Sequence, residues 1–192
     1  MDPLQSFKVE MRGDDVVLHF DPAKISSTNV SVPSVCAASL SHQAKDQHVC
    51  IVVGGGAAGA CAIDALRLNG FNGRIILISS ESYAAIDRTK LSKTLGIKPE
   101  KLALRSVDDL VKMGVELHLG KTVTAVDFDH QTVTVGDAEH ILHYDYLVLA
   151  TGGTPRKLPI QGADLERVFV LRTSGDAAAI DQGIYRHFIT FL

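Results

Sequence analysis

Apolar positions in this chain follow two different periods. Phe7, Val9 and Met11 alternate with polar residues, as do Val16, Leu18 and Phe20, and Arg12-Gly13-Asp14-Asp15 stands between the two runs. A period of two broken by a Gly-Asp turn predicts a β-hairpin. From about Ile25 to Gln47 the chain is rich in Ser, Thr, Ala and Asn, contains Pro33 and keeps no period, which predicts a linker.

Beyond His48 the pattern changes to short continuous apolar runs. Val49–Val53 and Arg74–Ser79 are unbroken, as expected of strands covered on both faces of a parallel sheet. Between them an alanine-rich helical pattern runs from Ala57 to Asn69, with Gly70 in the place of a helix C-terminal glycine. Short helical patterns follow at Lys90–Leu95 and Val107–Met113, then a strand at Val115–Leu119. Val123–Phe128, Thr132–Val135 and His140–His143 predict a meander of three short strands, and Leu147–Ala150 a returning buried strand. The expected fold is α/β: a Rossmann-like domain with a parallel sheet and a β-meander, preceded by a hairpin and linker. The expected divisions are 1–24 for the hairpin, 25–47 for the linker, 48–180 for the nucleotide-binding domain and 181–192 for an atypical tail.

Composition narrows the function classes. The chain has 192 residues, 46% of them apolar and 21% charged, with a formal net charge of −3. It carries no basic run with interleaved aromatics, so neither nucleic acid nor an anionic membrane is an expected partner. Lys8, Glu10, Arg12 and Asp14 occupy the stretch where a secretory signal would be apolar. The run from Val49 to Ile63 is Gly-rich and shorter than the roughly 18–20 residues a membrane span needs. No targeting signal and no transmembrane segment is visible, so a cytoplasmic or mitochondrial setting is expected. Cys36, Cys50 and Cys61 are irregularly spaced and read as free thiols, and no Cys or His pair has metal-ligand spacing. His118, His130, His140 and His143 are expected in the meander as surface or cross-strand residues.

Candidate chemistry sits in three segments. The first is Gly54-Gly55-Gly56-Ala57-Ala58-Gly59, a G-x-G-x-x-G spacing between a strand and a helix. Gly54 permits the turn, Gly56 lets the backbone approach a dinucleotide pyrophosphate, and Gly59 lets helix and strand pack closely. The helix start, at Ala57 and Ala58, offers unpaired N–H groups to phosphate. Glu81, just past the second strand, suits a hydrogen bond from a ribose hydroxyl; Ser80 is the alternative for that contact. The second segment is Asp87-Arg88-Thr89-Lys90-Leu91-Ser92-Lys93, where Arg88 and Lys93 are candidate partners for pyrophosphate or a ring system. The third is Tyr144–Arg156, a buried strand ending in Ala150-Thr151-Gly152-Gly153, whose backbone would flank a nucleotide while Arg156 reaches a phosphate.

These motifs, in this order, resemble the FAD domain of the pyridine nucleotide–disulfide reductase superfamily from Val49 to about Ala179. Asp87-Arg88, Leu91-Ser92-Lys93, Leu102-Ala103-Leu104-Arg105 and Tyr144–Arg156 are similar to its ferredoxin-reductase and apoptosis-inducing-factor branch. The N-terminal hairpin resembles the last strands of a Rieske domain, as in the branch members similar to apoptosis-inducing factor 3. The resemblance implies FAD bound through Gly54, Gly56, Ala57, Ala58, Gly59 and Glu81, with Arg88, Lys93 and Arg156 at the flavin end or the phosphates. It implies the Val123 backbone beside the adenine, and the Lys93 ammonium near the isoalloxazine as the catalytic group. It also implies NAD(P)H as reductant and an iron–sulfur electron acceptor, with no redox-active disulfide, and leaves the oligomeric state open.

Departures from the family pattern are equally specific. Ala85-Ile86 replaces the usual Pro-Tyr, and Gly175-Asp176 lies in the wrong context for the ribityl-binding segment. With no second glycine-rich motif before Leu192, the expectation is a truncated form of the oxidoreductase. A non-catalytic nucleotide-binding fragment is the alternative. An ordinary NAD-dependent dehydrogenase would not explain the meander or the Thr151-Gly152-Gly153 strand.

Overall fold

The computed structural model describes residues 8–13, 15–19, 47–136 and 140–188. The linker expected over 25–47 lies outside them except for Gln47, as do Phe7, Asp14, Phe20 and residues 189–192. The chain divides into two compact units, Met1–Ser34 and Val35–Leu192. The first contains the predicted hairpin: β1 (Lys8–Arg12) pairs antiparallel with β2 (Asp15–His19), Val9 opposite Leu18 and Glu10 opposite Val17.

The second unit is built on a four-stranded parallel sheet of β3 (Val49–Val53), β4 (Arg74–Ser79), β5 (Val115–Leu119) and β9 (Tyr146–Leu149), in the order β5-β4-β3-β9. Successive strand residues point to opposite faces, and the two central strands show what that does to an unbroken apolar run. Cys50, Val52, Ile75 and Leu77 pack on one side with Ile63 of α1 (Ala57–Leu68) and Leu110 of α2 (Val107–Lys112). Ile51, Val53, Ile76 and Ile78 pack on the other with Val133, Val135 and Tyr144. That second face is covered by the antiparallel meander β6 (Val123–Asp127), β7 (Thr132–Val135) and β8 (His140–His143). The fold is therefore three layers, helices on one face and a small sheet on the other. At the start of β9, Asp145 locks the returning strand to β3, its carboxylate accepting from Val49 N (2.6 Å) and its N–H donating to Val49 O (2.9 Å).

One buried cation joins the helical layer to the sheet. Arg67 of α1 is only 4% exposed, and its guanidinium donates to the carbonyls of Met113, Phe71, Gly73 and Gly114 at 2.7–3.1 Å. Those carbonyls belong to the turns before β4 and β5, and the two in buried bonds, of Met113 and Gly73, would otherwise lack donors.

Three expectations are corrected. The helix predicted at Lys90–Leu95 is a 3₁₀ turn, Arg88–Lys90, followed by irregular turns. The Asp87 side chain caps the turn by accepting from Thr89 N, and the chain then turns again at Gly96 (φ +70°), leaving no room for a regular helix. His118 lies outside the meander, on β5 opposite Ile78, hydrogen-bonded to Glu116 at 2.8 Å. After an irregular stretch, α3 (Ser174–Phe188) forms where no helix was expected.

Candidate functional site

The carboxyl ends of β3, β4 and β9 open into a cavity of about 1000 Å³. It is lined by Gly54–Ala58 from the first segment, Ser79–Glu81 after β4, Ile86–Thr89, Leu104, Leu149–Pro155, and Arg172 and Thr173 before α3. All three sequence segments thus meet at one place, the end of a parallel sheet where such folds receive ligands.

The glycines have distinct physical roles. Gly54 has φ +114°, and a Cβ there would overlap the carbonyl of Ala150, so both backbone conformation and space require glycine. Gly55 has no room either, because a Cβ would sit 2.5 Å from Ser79 Oγ. Gly59 faces the carbonyl oxygen of Gly54, where a side chain would force α1 away from β3. Gly56 differs from all three. It precedes α1 with ordinary φ (−90°), and a Cβ there would meet nothing within 4 Å. No side chain caps α1, and its first turn has no acidic residue. The first N–H groups of a helix lack intrahelical partners, so those of Ala57 and Ala58 are presented beside open space with the positive end of the helix dipole.

On the opposite wall the charges are paired before any ligand arrives. The Asp87 carboxylate accepts from Thr89 N (3.1 Å) and Thr89 Oγ1 (2.6 Å), which sets the turn that carries Arg88. The Thr89 hydroxyl holds the Asp87 carboxyl below its ordinary pKa against the opposing effect of burial. Arg88 then reaches Glu81 with both guanidinium arms, Nη1 to Oε1 at 3.0 Å and Nη2 to Oε2 at 2.8 Å. The same Nη1 donates to the carbonyl of Arg172 at 2.6 Å. Tyr83 donates to Glu81 Oε1 at 3.0 Å and accepts from Ser174 N at 3.2 Å. The backbone of Glu81 is fixed as well, its carbonyl accepting from Gly120 N at 3.0 Å.

Of the residues singled out in the sequence, Gly54, Gly56, Ala57, Ala58, Ser80, Glu81, Arg88, Ala150, Thr151 and Gly152 line the cavity. Gly59 lies behind them at the helix–strand contact. Lys93 is exposed and donates to Ser92 Oγ at 3.1 Å, Arg156 is exposed, and Val123 packs on the meander-side core; these three do not line the cavity. Gly55, Tyr83 and Arg172 were not singled out. Arg172 leans over the third segment, where a methyl group on Gly152 would come 2.8 Å from its Nη2. Among the described residues its guanidinium makes no hydrogen bond or ion pair, so its charge is available to a ligand. Arg172 reaches the site because Arg88 holds its backbone. Among the described residues no group of His, Cys, Asp and Glu is arranged to hold a metal ion, and no helix is long and apolar enough to cross a membrane.

Comparison with known proteins agrees with this geometry. The profile of the pyridine nucleotide-disulphide oxidoreductase family matches residues 48–189. Apoptosis-inducing factor 3 of Mus musculus is 33% identical over 178 residues, 92% of this chain and 29% of that protein. The ferredoxin–NAD(+) reductase component of the biphenyl dioxygenase system of Paraburkholderia xenovorans (strain LB400) is 37% identical over 135 residues, 69% of this chain and 33% of that protein. The chain thus spans about a third or less of the length of these relatives. In the solved covalent putidaredoxin reductase–putidaredoxin complex, a chain with 34% identity superposes with a TM-score of 0.63, covering 71% of this chain and 34% of that one.

Proposed function

The chain belongs to the pyridine nucleotide-disulphide oxidoreductase family, and on that premise we propose that it binds FAD and serves to pass electrons from NAD(P)H, through the flavin, to an iron–sulfur acceptor. One observation carries the reading: Gly56 stands in open space at the head of an uncapped helix, inside the cavity where the three segments converge. A side chain at that position would fill a cradle suited to a pyrophosphate, and the donors around it are the N–H groups that phosphate oxygens accept.

When bound, FAD supplies the capacity to take a hydride from NAD(P)H and to release electrons to an acceptor. The chain's own residues bind and orient. The Gly54–Gly56 backbone and the N–H groups of Ala57 and Ala58 hold the pyrophosphate, and the Arg172 guanidinium offsets its charge. Glu81 accepts from the adenosine ribose, with Ser80 alongside. Ala150, Thr151 and Gly152 flank the nucleotide, and Ile86, Leu104 and Leu149 exclude water from it. Arg88 works through Glu81, whose carboxylate it orients. Val123 at the adenine and Lys93 and Arg156 toward the flavin end extend the reading from the family resemblance, with the Lys93 charge favouring the reduced ring.

The acceptor class is drawn from relatives whose names pair them with ferredoxin or putidaredoxin. Similarity to apoptosis-inducing factor 3 takes in 92% of the chain and so reaches upstream of the 48–189 stretch, which supports reading the hairpin as the end of a Rieske domain. The deciding experiment is the visible spectrum of the purified chain after reconstitution with FAD, with and without NADH. A bound flavin spectrum that bleaches on NADH addition is expected. Bound flavin that NADH leaves oxidised would assign the chain nucleotide binding alone, and failure to retain FAD would reject the cofactor assignment.

A further inference from the structure

Tyr83 lies off the glycine motif and off the charged segment, yet it touches both sides of the cavity rim. Its ring packs against Ile86, Leu91, Leu102 and Ala177, so the hydroxyl leaves an apolar cluster in a fixed direction. That hydroxyl makes two bonds of opposite sense, donating to Glu81 Oε1 (3.0 Å) and accepting from Ser174 N (3.2 Å) at the start of α3. Burial raises the Tyr83 pKa, and the nearby Glu81 charge adds to the rise against the Ser174 bond, so the hydroxyl stays a donor.

The capacity of the carboxylate gives this arrangement its consequence. An ionised carboxylate has about four acceptor sites. Glu81 Oε1 receives Tyr83 Oη and Arg88 Nη1, and Oε2 receives Arg88 Nη2, so one site remains, on Oε2. We propose that Tyr83 is a positioning residue for the nucleotide: it saturates Oε1, directs the remaining acceptor of Glu81 at a single ribose hydroxyl, and ties that contact to the 172–174 rim. This inference rests on the reading of Glu81 as the ribose contact. The rim is thereby coupled to the adenosine end twice, because Arg88 joins Glu81 to Arg172 O while Tyr83 joins Glu81 to Ser174 N.

The test is isothermal titration of the full chain with ADP and with the dideoxy analogue lacking both ribose hydroxyls, in wild type, Tyr83→Phe, Glu81→Ala and the double variant. Tyr83→Phe is expected to weaken ADP roughly tenfold, the scale of one hydrogen bond to a charged group. It should leave the analogue unchanged and add no loss in the Glu81→Ala background. Equal losses for both ligands, or the same loss without Glu81, would show a merely structural role and overturn the proposal. Undiminished ADP preference in Tyr83→Phe would overturn it while leaving Glu81 as the ribose contact. A wild type that binds both ligands equally would sink the ribose reading and the proposal with it. Ser174→Pro gives an independent check if Tyr83→Phe fails to fold. It removes the N–H that Tyr83 accepts, at a first helical position where proline fits, and Ser174→Ala controls for the hydroxyl lost with it; ADP affinity should fall in Ser174→Pro alone, and no change would overturn the coupling to the rim.

Discussion

The α-carbon of Gly54 stands against the carbonyl of Ala150, so close that a methyl group on Gly54 would lie 2.5 Å from the Ala150 carbonyl carbon. Neither partner can retreat, because Ala150 N donates to Val53 O at 2.8 Å and Gly54 N to Ile78 O at 2.8 Å. Gly54→Ala should therefore damage the fold itself. A positive φ in a non-glycine residue and a backbone overlap together cost at least about 3 kcal/mol. The expected result is a large loss of soluble protein, or a strongly lowered melting temperature by circular dichroism without any cofactor. A variant that melts like wild type would contradict the geometry.

Gly56→Ala should behave in the opposite way. Its φ of −90° suits any residue and its Cβ would meet no protein atom within 4 Å. Melting of the cofactor-free variant should stay within about 2 °C of wild type, as for a surface substitution. The methyl group would occupy the space reserved for phosphate, so FAD affinity should fall roughly tenfold or more. Fluorescence titration with FAD checks it, and unchanged affinity would move the pyrophosphate elsewhere.

The contrast between these glycines shows how far the sequence is legible. Spacing identifies the G-x-G-x-x-G turn, and the unbroken run at Arg74–Ser79 identifies a buried parallel strand, because both signals are local. The link between Glu81 and Arg88 is not local in effect: it depends on the Asp87–Thr89 turn, and read separately the two residues look like independent ligands. Arg172 reaches the site through a bond to Arg88 across 84 positions, which no window of sequence encloses. The α3 helix escaped notice because Gly175 and Gly183 interrupt its pattern, and glycine inside a helix is unfavourable. Contact of Ala177 with Ile86, Leu91 and Leu102 compensates by burying its inner side.

Arg172 makes a prediction that Arg88 does not share. Its guanidinium has no protein partner among the described residues, so Arg172→Gln leaves no carboxylate stranded, whereas removing Arg88 would strand Glu81. Arg172→Gln should keep wild-type melting yet weaken FAD, and the loss should shrink as salt rises, because screening already reduces the charge attraction. Titrations at low and high ionic strength decide this. An equal loss at every salt concentration would show that Arg172 acts by shape and not charge.

Arg67 should dominate the stability of the second unit. Four carbonyls accept from one buried guanidinium, and Arg67→Met leaves the two in buried bonds, of Met113 and Gly73, unsatisfied at about 1–3 kcal/mol each. A fall in melting temperature of roughly 10 °C is expected. Lysine should not rescue it, having three donors on a flexible stem in place of a planar fork. Arg74, whose pair with Glu116 is half exposed, should cost less than about 1 kcal/mol when changed to Ala. Similar losses from the two arginines would refute the assigned role.

Asp176 gives the rim its pH dependence. Burial alone would raise its pKa, but N–H bonds from Thr173 (2.8 Å) and Arg172 (2.9 Å) outweigh burial and leave the pKa below the ordinary value. A carboxyl with a depressed folded-state pKa binds fewer protons folded than unfolded, so its contribution is complete above the unfolded pKa near 4 and is lost as pH falls through the folded value. Wild type should therefore lose stability more steeply than Asp176→Asn below about pH 4, the curves running parallel at neutral pH with the variant lower. Because Asp176 holds the N–H groups of the two rim residues that Arg172 and Thr173 provide, FAD affinity should follow the same acid limb in wild type and lack that component in the variant. Chemical denaturation and FAD titration across that acid range measure both; coincident slopes for the two proteins would remove Asp176 as the titrating group.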